Sequence, residues 1–483
     1  MTAVLDLLVV GGGVNGAGIA RDAAGRGLSV ALVEGGDIGG ATSSASTKLV
    51  HGGLRYLEFG EIGLVRKALK EREVILRSAP HIAWPLPFLL PVLPEGRPAW
   101  MLAAGLFLYD HLARHREVPG AERIRLREDV AGGAFVPAIT RAFRFWDGWV
   151  DDARLVVLLA RDARRHGAEV IVRDALHKAV RREGGWEVET ASGRRLASRH
   201  LVNAAGPWAE EVARDLLGLP DAPRLRLVQG AHLVTRRVNR TDDAFLLQQP
   251  DGRIVFVIPY ERDWSLIGTT ETPVASPHGA AITPEEEAYL LAAVNRVLAR
   301  PLTRDDVRHR FAGIRPLVLE EGKSDRETTR DWRFVAHADA AATTVVGGKI
   351  TTFRLLAERL VSQLFPGTKP WTREARLPGA DFPALGGRTA RANFLLWLRM
   401  LKQRFPDHDP AIVERLGGLY GTDAERMLAD GLGARDSSGL FEAEAAYLRA
   451  EEFARTPEDM LWRRTKLGLT PEMPPPRRLV YAI

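Results

Sequence analysis

The glycine pattern GGGVNG at residues 11–16 constrains the fold of this chain more than any other feature of its sequence. It has the form G-x-G-x-x-G and stands where an apolar run gives way to a helical pattern. Gly11 permits the tight turn, Gly13 lets the backbone approach a pyrophosphate, and Gly16 lets a helix pack closely on the preceding strand. The first N–H groups of that helix attract phosphate oxygens. The pattern predicts a dinucleotide site in which Asn15 also contacts the ligand.

The segments around these glycines complete a strand–helix–strand unit. Apolar residues fill 6–10 and 28–33, and the alanine-rich stretch 14–26 between them has a helical pattern. Glu34 follows the second strand, about 20 residues past the glycines, where an acid accepts hydrogen bonds from ribose hydroxyls. An acid at this place disfavours a 2′-phosphate. The unit therefore predicts FAD or NAD, and argues against NADP.

Composition excludes several kinds of chemistry. The chain contains no cysteine, so it forms no disulfide, iron–sulfur cluster or cysteinyl–flavin bond. Twelve histidines include one pair at i, i+4 spacing, His111 and His115, which lies beside arginines, and we predict no metal site. The formal charge is +6 over 483 residues, and the basic residues are scattered. We therefore expect no nucleic-acid partner.

A polar stretch over 39–57 follows the nucleotide-binding unit. It contains five hydroxyl residues, a lysine, a histidine and a glycine pair, a composition too polar for a buried strand. Small residues and glycines let the chain approach a flat polar ligand, and Lys48 supplies a cation near a phosphate, although a solvated loop has a similar composition. The residues predicted to contact the cofactor here are Thr42, Ser43, Ser44, Lys48, Leu49, His51, Gly52 and Gly53.

A series of motifs along the chain resembles the FAD-dependent, respiratory glycerol-3-phosphate dehydrogenases. In the family's order these are DLLVVGGGVNGAGIARDAAGRGLSV, ATSSASTKLVHGGLRYLE, WVDDARLV, VNAAGPWA, RIVFVIPY, GTTE, GIRPL, TRD, GGKITTFR and LWRRTKLG. Only 381–458 resembles the family more loosely. The resemblance implies FAD-dependent oxidation of sn-glycerol 3-phosphate to dihydroxyacetone phosphate, with hydride transfer from C2 to flavin N5 and electrons passed to a quinone.

The resemblance and the residue patterns together predict an α/β chain. It has an FAD-binding, doubly wound (Rossmann-like) domain, an antiparallel-sheet substrate domain and a C-terminal helical domain. We expect the FAD-binding domain to be assembled from three pieces, 1–80, 146–220 and 331–375. The other predicted regions are a cap or substrate insertion at 81–145, the substrate domain at 221–330 and the helical domain at 380–483.

The substrate implied by the resemblance carries a phosphate dianion, so cations are the first candidates for its site. Arg315 follows a strand and a glycine, where its guanidinium can bind anionic oxygens bidentately. Lys349 begins a helix, an unfavourable place for a cation unless an anion is near. Each alone is also compatible with a surface position. The resemblance adds Arg55, Tyr56 and Arg330 to the catalytic set.

The alcohol of such a substrate requires a proton acceptor. His232, in the predicted strand QGAHLVT, is the candidate because imidazole takes a proton near neutral pH, although a core histidine is an equal alternative. Thr269 and Thr270 end a strand and could hydrogen-bond the substrate, and Thr270 is included in the predicted site. The resemblance also implies further cofactor contacts from Ala205, Gly206, Gly348, Lys349 and Thr351.

The electron acceptor and the location are left more open. The opening residues carry no secretion pattern, so we expect a cytoplasmic protein. The apolar stretch 81–112 is broken by prolines and its clean run, 99–109, is too short to cross a bilayer, so it is either buried core or a surface in contact with lipid. We expect peripheral attachment to the inner face of the membrane, and a homodimer is possible. The alternatives are a glycerol-3-phosphate oxidase that forms hydrogen peroxide, or an amine or amino-acid oxidase.

Overall fold

The structure is a computed structural model of the chain, and it describes residues 3–113, 117–318 and 331–469. Its strands, in chain order, are β1 (Val4–Val10), β2 (Val30–Glu34), β3 (Leu49–Val50), β4 (Ala83–Pro91), β5 (Glu122–Arg125), β6 (Arg141–Val150), β7 (Glu169–Val172), β8 (Leu176–Arg182), β9 (Gly185–Thr190), β10 (Arg195–Asn203), β11 (Leu225–Arg236), β12 (Ala244–Gln248), β13 (Ile254–Tyr260), β14 (Trp264–Gly268), β15 (Thr272–Val274), β16 (Val307–Val318), β17 (Arg333–His337) and β18 (Ala342–Val346).

The helices are distributed between and after these strands. In chain order they are α1 (Val14–Gly25), α2 (Ile62–Ser78), α3 (Ala99–His111), α4 (Asp152–Arg165), α5 (Ala209–Glu211), α6 (Pro284–Asn295), α7 (Phe353–Leu364), α8 (Ala390–Arg404), α9 (Pro410–Tyr420), α10 (Ala424–Asp430) and α11 (Glu442–Glu451). A π-helical turn, Val212–Leu216, continues α5 directly after the VNAAG motif. None of the helices in the described ranges is long and apolar enough to span a bilayer.

Sheet I contains the nucleotide-binding unit. Six of its eight strands run in the order β17-β18-β10-β1-β2-β7, parallel except for the outer pair β17 and β18. The other two, β8 and β9, are antiparallel, with β9 paired to β10. Helices α1, α4 and α7 supply residues of one apolar core packed on this sheet, and Leu7, Leu8 and Val9 of β1 are fully buried. Parallel strands covered by helices have such continuous apolar sequences. The predicted doubly wound α/β domain is confirmed.

Sheet II is mostly antiparallel and lies beside sheet I. Its order is β15-β11-β14-β13-β12-β4-β6-β3, with β16 paired to β11 and β5 paired to β6. β4 and the first half of β6 come from the region predicted to be an insertion, whereas the second half of β6 falls in the piece predicted for the FAD-binding domain. The residues of 81–145 therefore extend the same sheet as the strands of 221–330. The apolar stretch 81–112 is therefore partly core and partly surface, because β4 is largely buried whereas α3 exposes several apolar side chains.

The C-terminal residues form the predicted helical domain. Helices α8 to α11 share an apolar core of their own, which includes Phe394, Trp397 and Tyr447. Buried ion pairs join this domain to α4, among them Arg154 with Glu452. The C-terminal helical domain is thus confirmed, and it is attached to the helix that packs against α1.

Candidate active site

The glycine turn between β1 and α1 has no room for side chains. The φ angle of Gly11 is 105°, and a Cβ there would lie 2.6 Å from the carbonyl oxygen of Ala204. A Cβ on Gly16 would lie 1.9 Å from the carbonyl oxygen of Gly11. A Cβ on Gly13 would meet only the Ser43 hydroxyl, at 3.3 Å. The turn has the close packing that a pyrophosphate-binding loop requires.

Glu34 lies at the end of β2, as the sequence predicts, and its carboxylate holds the turn. Its two oxygens accept hydrogen bonds from the backbone N–H groups of Gly12 and Gly36, at 2.6 and 2.7 Å. Burial raises the pKa of Glu34, and these two N–H groups offset part of that rise. A carboxylate oxygen carries a second lone pair, so Glu34 can still accept a hydrogen bond from a ribose hydroxyl.

The hydroxyl-rich stretch 42–47 packs against the start of α1. The Ser43 hydroxyl accepts a hydrogen bond from the backbone N–H of Val14 at 3.0 Å, and the Thr42 hydroxyl donates to the carbonyl of Ile314 at 2.6 Å. Ser44 bonds the backbone of its own turn. These contacts bring the stretch to the helix terminus where phosphates bind, and they also tie it to β16.

Lys48 is buried, and its charge is matched by a residue that sequence reasoning missed. Its ammonium donates to Asp152 Oδ1 at 2.6 Å, while Asp152 Oδ2 accepts from the hydroxyl and the backbone N–H of Ser46. Lys48 is thus an internal partner of Asp152, which limits the free charge that it can present to a phosphate. Leu49 is buried beside it in β3. The pair DD in the motif WVDDARLV was the only sequence indication of this role.

Three loops meet next to α1. The Thr351 hydroxyl accepts a hydrogen bond from the His51 backbone N–H at 3.2 Å, and Asn15 Nδ2 donates to the carbonyl of Gly347 at 3.1 Å. A Cβ on Gly348 would lie 3.1 Å from the Asn15 amide. The backbone N–H of Gly52, in the same glycine pair as Gly53, donates to the Tyr109 hydroxyl. The predicted contacts from distant parts of the sequence therefore lie together.

The loop after β10 closes the same site from the other side. Asn203 ends β10, and its amide oxygen accepts from the Ala205 N–H at 3.2 Å while its Nδ2 donates to the carbonyl of Ala209. Gly206 follows in a left-handed conformation, with a φ of 58°. These bonds place Ala205 and Gly206 directly after the carbonyl that contacts Gly11, as expected for residues that line the cofactor.

Two of the predicted substrate residues are stacked. The Lys349 ammonium lies 3.8 Å from the centroid of the Tyr56 ring, a cation–π distance. The guanidinium of Arg55 lies 5.9 Å from the Phe59 ring instead. Lys349 and Tyr56 are brought together, whereas Arg55 faces an exposed aromatic residue. Arg330 lies outside the described residues.

Arg315 and His232 lie on neighbouring strands of sheet II. Arg315, on β16, donates through Nη2 to the Thr269 hydroxyl at 3.2 Å, and its Nη1 lies 3.9 Å from Glu271 Oε1. His232, on β11, pairs with Phe311 of β16 and stacks on its ring, with centroids 5.0 Å apart. Arg315 pairs with Val228, so the two candidates lie four positions apart along the strand pair, and the turn after β14 links them because Gly268 pairs with His232 while Thr269 contacts Arg315.

The His232 imidazole is buried and neutral. Burial lowers its pKa well below 6.5, and the positive charges of Arg315 and Lys48 lower it further. Its Nε2 lies 2.9 Å from the Thr47 hydroxyl, and its Nδ1 has no hydrogen-bond partner within the described part of the chain. A neutral imidazole can accept a proton, and Thr47 is the residue through which it contacts the polar stretch.

Thr270 has a different environment from the one predicted. Its hydroxyl accepts from the Ala231 N–H at 2.9 Å and donates to Glu286 Oε1 at 2.7 Å, so both functions are already used inside the protein. Its neighbour Thr269 contacts Arg315 instead. Adjacent residues at a strand end point in different directions, and sequence alone could not decide which threonine faces the site.

Comparison with known proteins decides the family. Residues 6–354 match the family of FAD dependent oxidoreductases, and residues 370–473 match the C-terminal domain of alpha-glycerophosphate oxidase. The aerobic glycerol-3-phosphate dehydrogenase of Escherichia coli is 42% identical over 482 residues, covering 96% of this chain and 94% of that protein. This chain belongs to the FAD-dependent glycerol-3-phosphate dehydrogenase family. FAD is its cofactor.

Other members of this family and its neighbours agree in sequence or fold. The D-erythritol 1-phosphate dehydrogenase of Brucella abortus is 43% identical, covering 95% of this chain and 94% of that protein. The glycerol-3-phosphate dehydrogenase of Bacillus halodurans, solved with FAD, superposes with a TM-score of 0.76 at 28% identity, covering 96% of this chain and 86% of that one. The glycerophosphate oxidase of Mycoplasma pneumoniae shares the fold, with a TM-score of 0.63 at 19% identity over 78% of this chain and 99% of that one.

The residues present fit FAD. The glycine turn admits close approach to a pyrophosphate, and the Glu34 carboxylate lies where a ribose binds. Asn15 Oδ1 is buried and has no hydrogen-bond partner among the described residues, as expected where a ligand completes a site. Outside the two gaps and the unassigned ends, no group of three or more acidic or histidine side chains could hold a metal ion.

Proposed function

We propose that this protein oxidises the secondary alcohol of sn-glycerol 3-phosphate to dihydroxyacetone phosphate and passes the electrons to a membrane quinone. The observation that carries the proposal is that one turn, at 268–269, joins a proton acceptor to a cation, because Gly268 pairs with the strand residue His232 and the Thr269 hydroxyl accepts from Arg315. A phosphorylated alcohol needs both a proton acceptor and a cation. An amine or amino-acid substrate would not require the additional cation Lys349 beside Tyr56.

The two loops that carry the site converge on sheet II. His51 packs edge-on against Phe256, with ring centroids 6.3 Å apart. Phe256 pairs across the sheet with Gly268, and Gly268 pairs with His232. The loop bonded to Thr351 therefore lies next to the strands that carry the proton acceptor. This adjacency supports one site shared by the cofactor and the substrate.

The chemical step divides between the chain and its cofactor. Arg315 and Lys349 bind the phosphate oxygens by charge-assisted hydrogen bonds. The alcohol proton passes to His232 Nε2, and because the imidazole is buried, it travels through the Thr47 hydroxyl 2.9 Å away. FAD, which the glycine turn, Glu34 and Asn15 would hold, would supply the two-electron acceptor for the C2 hydrogen, so that the alcohol carbon becomes a carbonyl.

An exposed apolar surface supports a membrane quinone as the electron acceptor. On α3 the side chains of Trp100 and Phe107 are 68% and 66% exposed, and Met101 and Leu108 are also exposed. Contiguous apolar groups on the outside of a protein mark interaction sites, and tryptophan and phenylalanine insert at the bilayer interface. We place this surface against the inner face of the cell membrane. Homodimer formation stays a prediction.

D-Erythritol 1-phosphate is a second candidate substrate, because the dehydrogenase named for it is as similar to this chain as the glycerol-3-phosphate dehydrogenases are. Both compounds carry a phosphate and a secondary alcohol, so the same residues could bind and oxidise either. The longer polyol requires more space beyond the reacting carbon. A direct comparison of the two substrates separates these proposals.

The test is anaerobic titration of the holoenzyme, followed by flavin absorbance. We expect glycerol 3-phosphate to bleach the flavin, unphosphorylated glycerol to have no effect, and a short-chain quinone to restore the colour much faster than dioxygen. Bleaching by erythritol 1-phosphate alone would transfer the proposal to that substrate. Rapid reoxidation by dioxygen with stoichiometric peroxide would identify an oxidase instead.

A further inference from the structure

A buried carboxylate on α6 accepts hydrogen bonds from four directions. Glu286 Oε1 accepts from the hydroxyls of Thr270 and Thr272, both at 2.7 Å. Glu286 Oε2 accepts from Gln229 Nε2 at 2.9 Å and from the backbone N–H of Thr283 at 3.0 Å. Burying a carboxylate is costly unless hydrogen bonds satisfy it, and here each oxygen has two donors. Only the bond to Thr283, a helix capping box, stabilises α6 itself.

The remaining donors lead from Glu286 toward the site. Thr270 Oγ1 donates to Glu286 and accepts from the backbone N–H of Ala231 at 2.9 Å, so the order of donors in this chain is fixed. Ala231 lies on β11 directly before His232. The carboxylate therefore holds the turn after β14 against the strand that carries the proton acceptor.

The same turn determines where Arg315 lies. The Thr269 hydroxyl, next to Thr270, accepts a hydrogen bond from Arg315 Nη2. Glu271, on the other side of Thr270 in the sequence, has its Oε1 3.9 Å from Arg315 Nη1. The guanidinium packs over the backbone of Gly230, where a Cβ would come within 2.8 Å of Nη2. A shift of the turn by a fraction of this distance would displace the guanidinium. Arg315 thus depends on the position of 269–271.

We propose that Glu286 and Thr270 are positioning residues that orient Arg315 toward the substrate phosphate. Neither touches the substrate, and this role replaces the direct substrate contact predicted for Thr270. The inference rests on the proposed function, because it assigns the phosphate of that substrate to Arg315. Rigid support of this kind matters because small displacements of binding groups have large effects on affinity.

The experiment compares variants of the FAD-loaded enzyme. Thr270→Val removes the hydroxyl at nearly constant volume, Thr270→Ser restores it, and Glu286→Gln keeps the shape while replacing one acceptor oxygen with an amide N–H donor. Ser265→Ala is the matched control. Like the Thr270 hydroxyl, the Ser265 hydroxyl is buried and accepts a hydrogen bond from a backbone N–H, that of Val238, but Ser265 lies on β14, outside this network. Flavin reduction by glycerol 3-phosphate gives a dissociation constant and a limiting rate, and inorganic phosphate is titrated as a competing probe.

We expect Thr270→Val and Glu286→Gln to weaken glycerol 3-phosphate and inorganic phosphate alike, by about tenfold, the effect of losing one well-placed hydrogen bond. The limiting rate should fall far less, Thr270→Ser should recover most of the affinity, and Ser265→Ala should behave as the wild type. Unchanged phosphate affinity in Thr270→Val, or an equal loss in Ser265→Ala, would overturn the proposal. If glycerol 3-phosphate fails to reduce the wild-type flavin, the proposed function fails, while the phosphate titration still decides the role of Thr270.

Discussion

Lys466 and Asp151 form a buried ion pair that joins the end of the described chain to the N-terminus of α4. Asp151 also caps α4, accepting from the backbone N–H of Arg154 at 3.1 Å. Burial by itself would raise the pKa of Asp151, but the charges of Lys466 and Lys48 hold it below its ordinary value. The pair connects the C-terminal domain to the helix that carries Asp152, the partner of Lys48.

Breaking this pair should destabilise the enzyme strongly. Lys466→Met leaves the Asp151 charge buried without its partner, and such losses amount to about 3 to 5 kcal/mol of unfolding free energy. Urea unfolding of the holoenzyme measures the effect. The double variant Lys466→Met with Asp151→Asn should recover part of the loss because no lone charge remains. Equal stability of the single and double variants would contradict this account.

Removing the Arg315 charge should impair substrate use far more than cofactor binding. Arg315→Leu leaves phosphate charge incompletely paired, which costs about 2 to 5 kcal/mol and lowers kcat/KM tens to thousands of fold. FAD content should stay the same. The matched control is Arg308→Leu on the same strand, since the Arg308 guanidinium donates to the carbonyl of Leu469 at 3.3 Å and not to the turn at 269–271. Steady-state kinetics that are unchanged in Arg315→Leu would remove this residue from the site.

Lys349→Met should behave similarly, because the ammonium over the Tyr56 ring is the second cation assigned to the phosphate. The control is Lys67→Met, which removes a half-buried lysine that also lies over an aromatic ring, that of Trp332, but pairs with Asp331. Flavin absorbance after desalting separates the two possible roles. Loss of FAD from Lys349→Met would assign the lysine to the cofactor rather than to the substrate.

The bound FAD should be non-covalent. No cysteine is present to form a thioether, and the glycine turn with Glu34 provides a complete site for the adenosine half. Acid precipitation should leave the yellow chromophore in solution. A flavin that stays with the pellet would point to a histidyl bond, and His51 would then be the first residue to substitute, because its loop lies nearest to the predicted flavin contacts.

Buried neutral histidines predict a loss of stability in mild acid. Burial lowers the pKa of His200 to about 4 and holds those of His81 and His232 well below 6.5. Their unfolded forms bind protons first, so their contribution to stability is complete above pH 6.5 and is lost as the pH falls toward the folded values. Each can contribute about 1.4 kcal/mol per pH unit. Unfolding free energies between pH 7 and pH 5 measure this slope.

His81 isolates one part of that slope. Both of its ring nitrogens lack hydrogen-bond partners in the described residues, and its ring packs on Phe382. His81→Phe should therefore be tolerated at pH 7. Between pH 6.5 and 5 its unfolding free energy should decline less steeply than that of the wild type, by the contribution of about one proton. An unchanged slope would show that His81 does not titrate in this range.

The exposed face of α3 should control membrane binding. Trp100→Ser together with Phe107→Ser should reduce sedimentation with anionic liposomes and slow electron transfer to long-chain quinone, while a soluble quinone analogue is reduced as before. Val130→Ser is the control, because Val130 is 72% exposed but belongs to a different element. Equal liposome binding of all three proteins would place the attachment elsewhere.

The sequence predicted what depends on short-range pattern. Turn, helix and strand periodicity located β1, α1 and Glu34, because each requirement acts over a few residues. The partner of Lys48 lies 104 residues away, and nothing in the local pattern distinguished Asp152 from an ordinary helix-starting acid. In the same way, β4 has an apolar sequence whose parallel pairing with the later strand β12 is decided by tertiary packing. Which of Thr269 and Thr270 contacts Arg315 depends on the direction of the turn after β14, which the sequence pattern does not specify.

The strand order of sheet I determines when, during translation, the pieces of the cofactor site become available. β1 pairs with β2 on one side and with β10 on the other, so the first strand to leave the ribosome lacks one of its two partners until residues 195–203 are made. The loop that contacts Asn15 follows β18 and emerges later still. Because domains form only when all their pieces are present, the nascent chain cannot assemble a complete cofactor site before this loop is synthesised. A complete flavin site therefore exists only late in translation or after release of the chain.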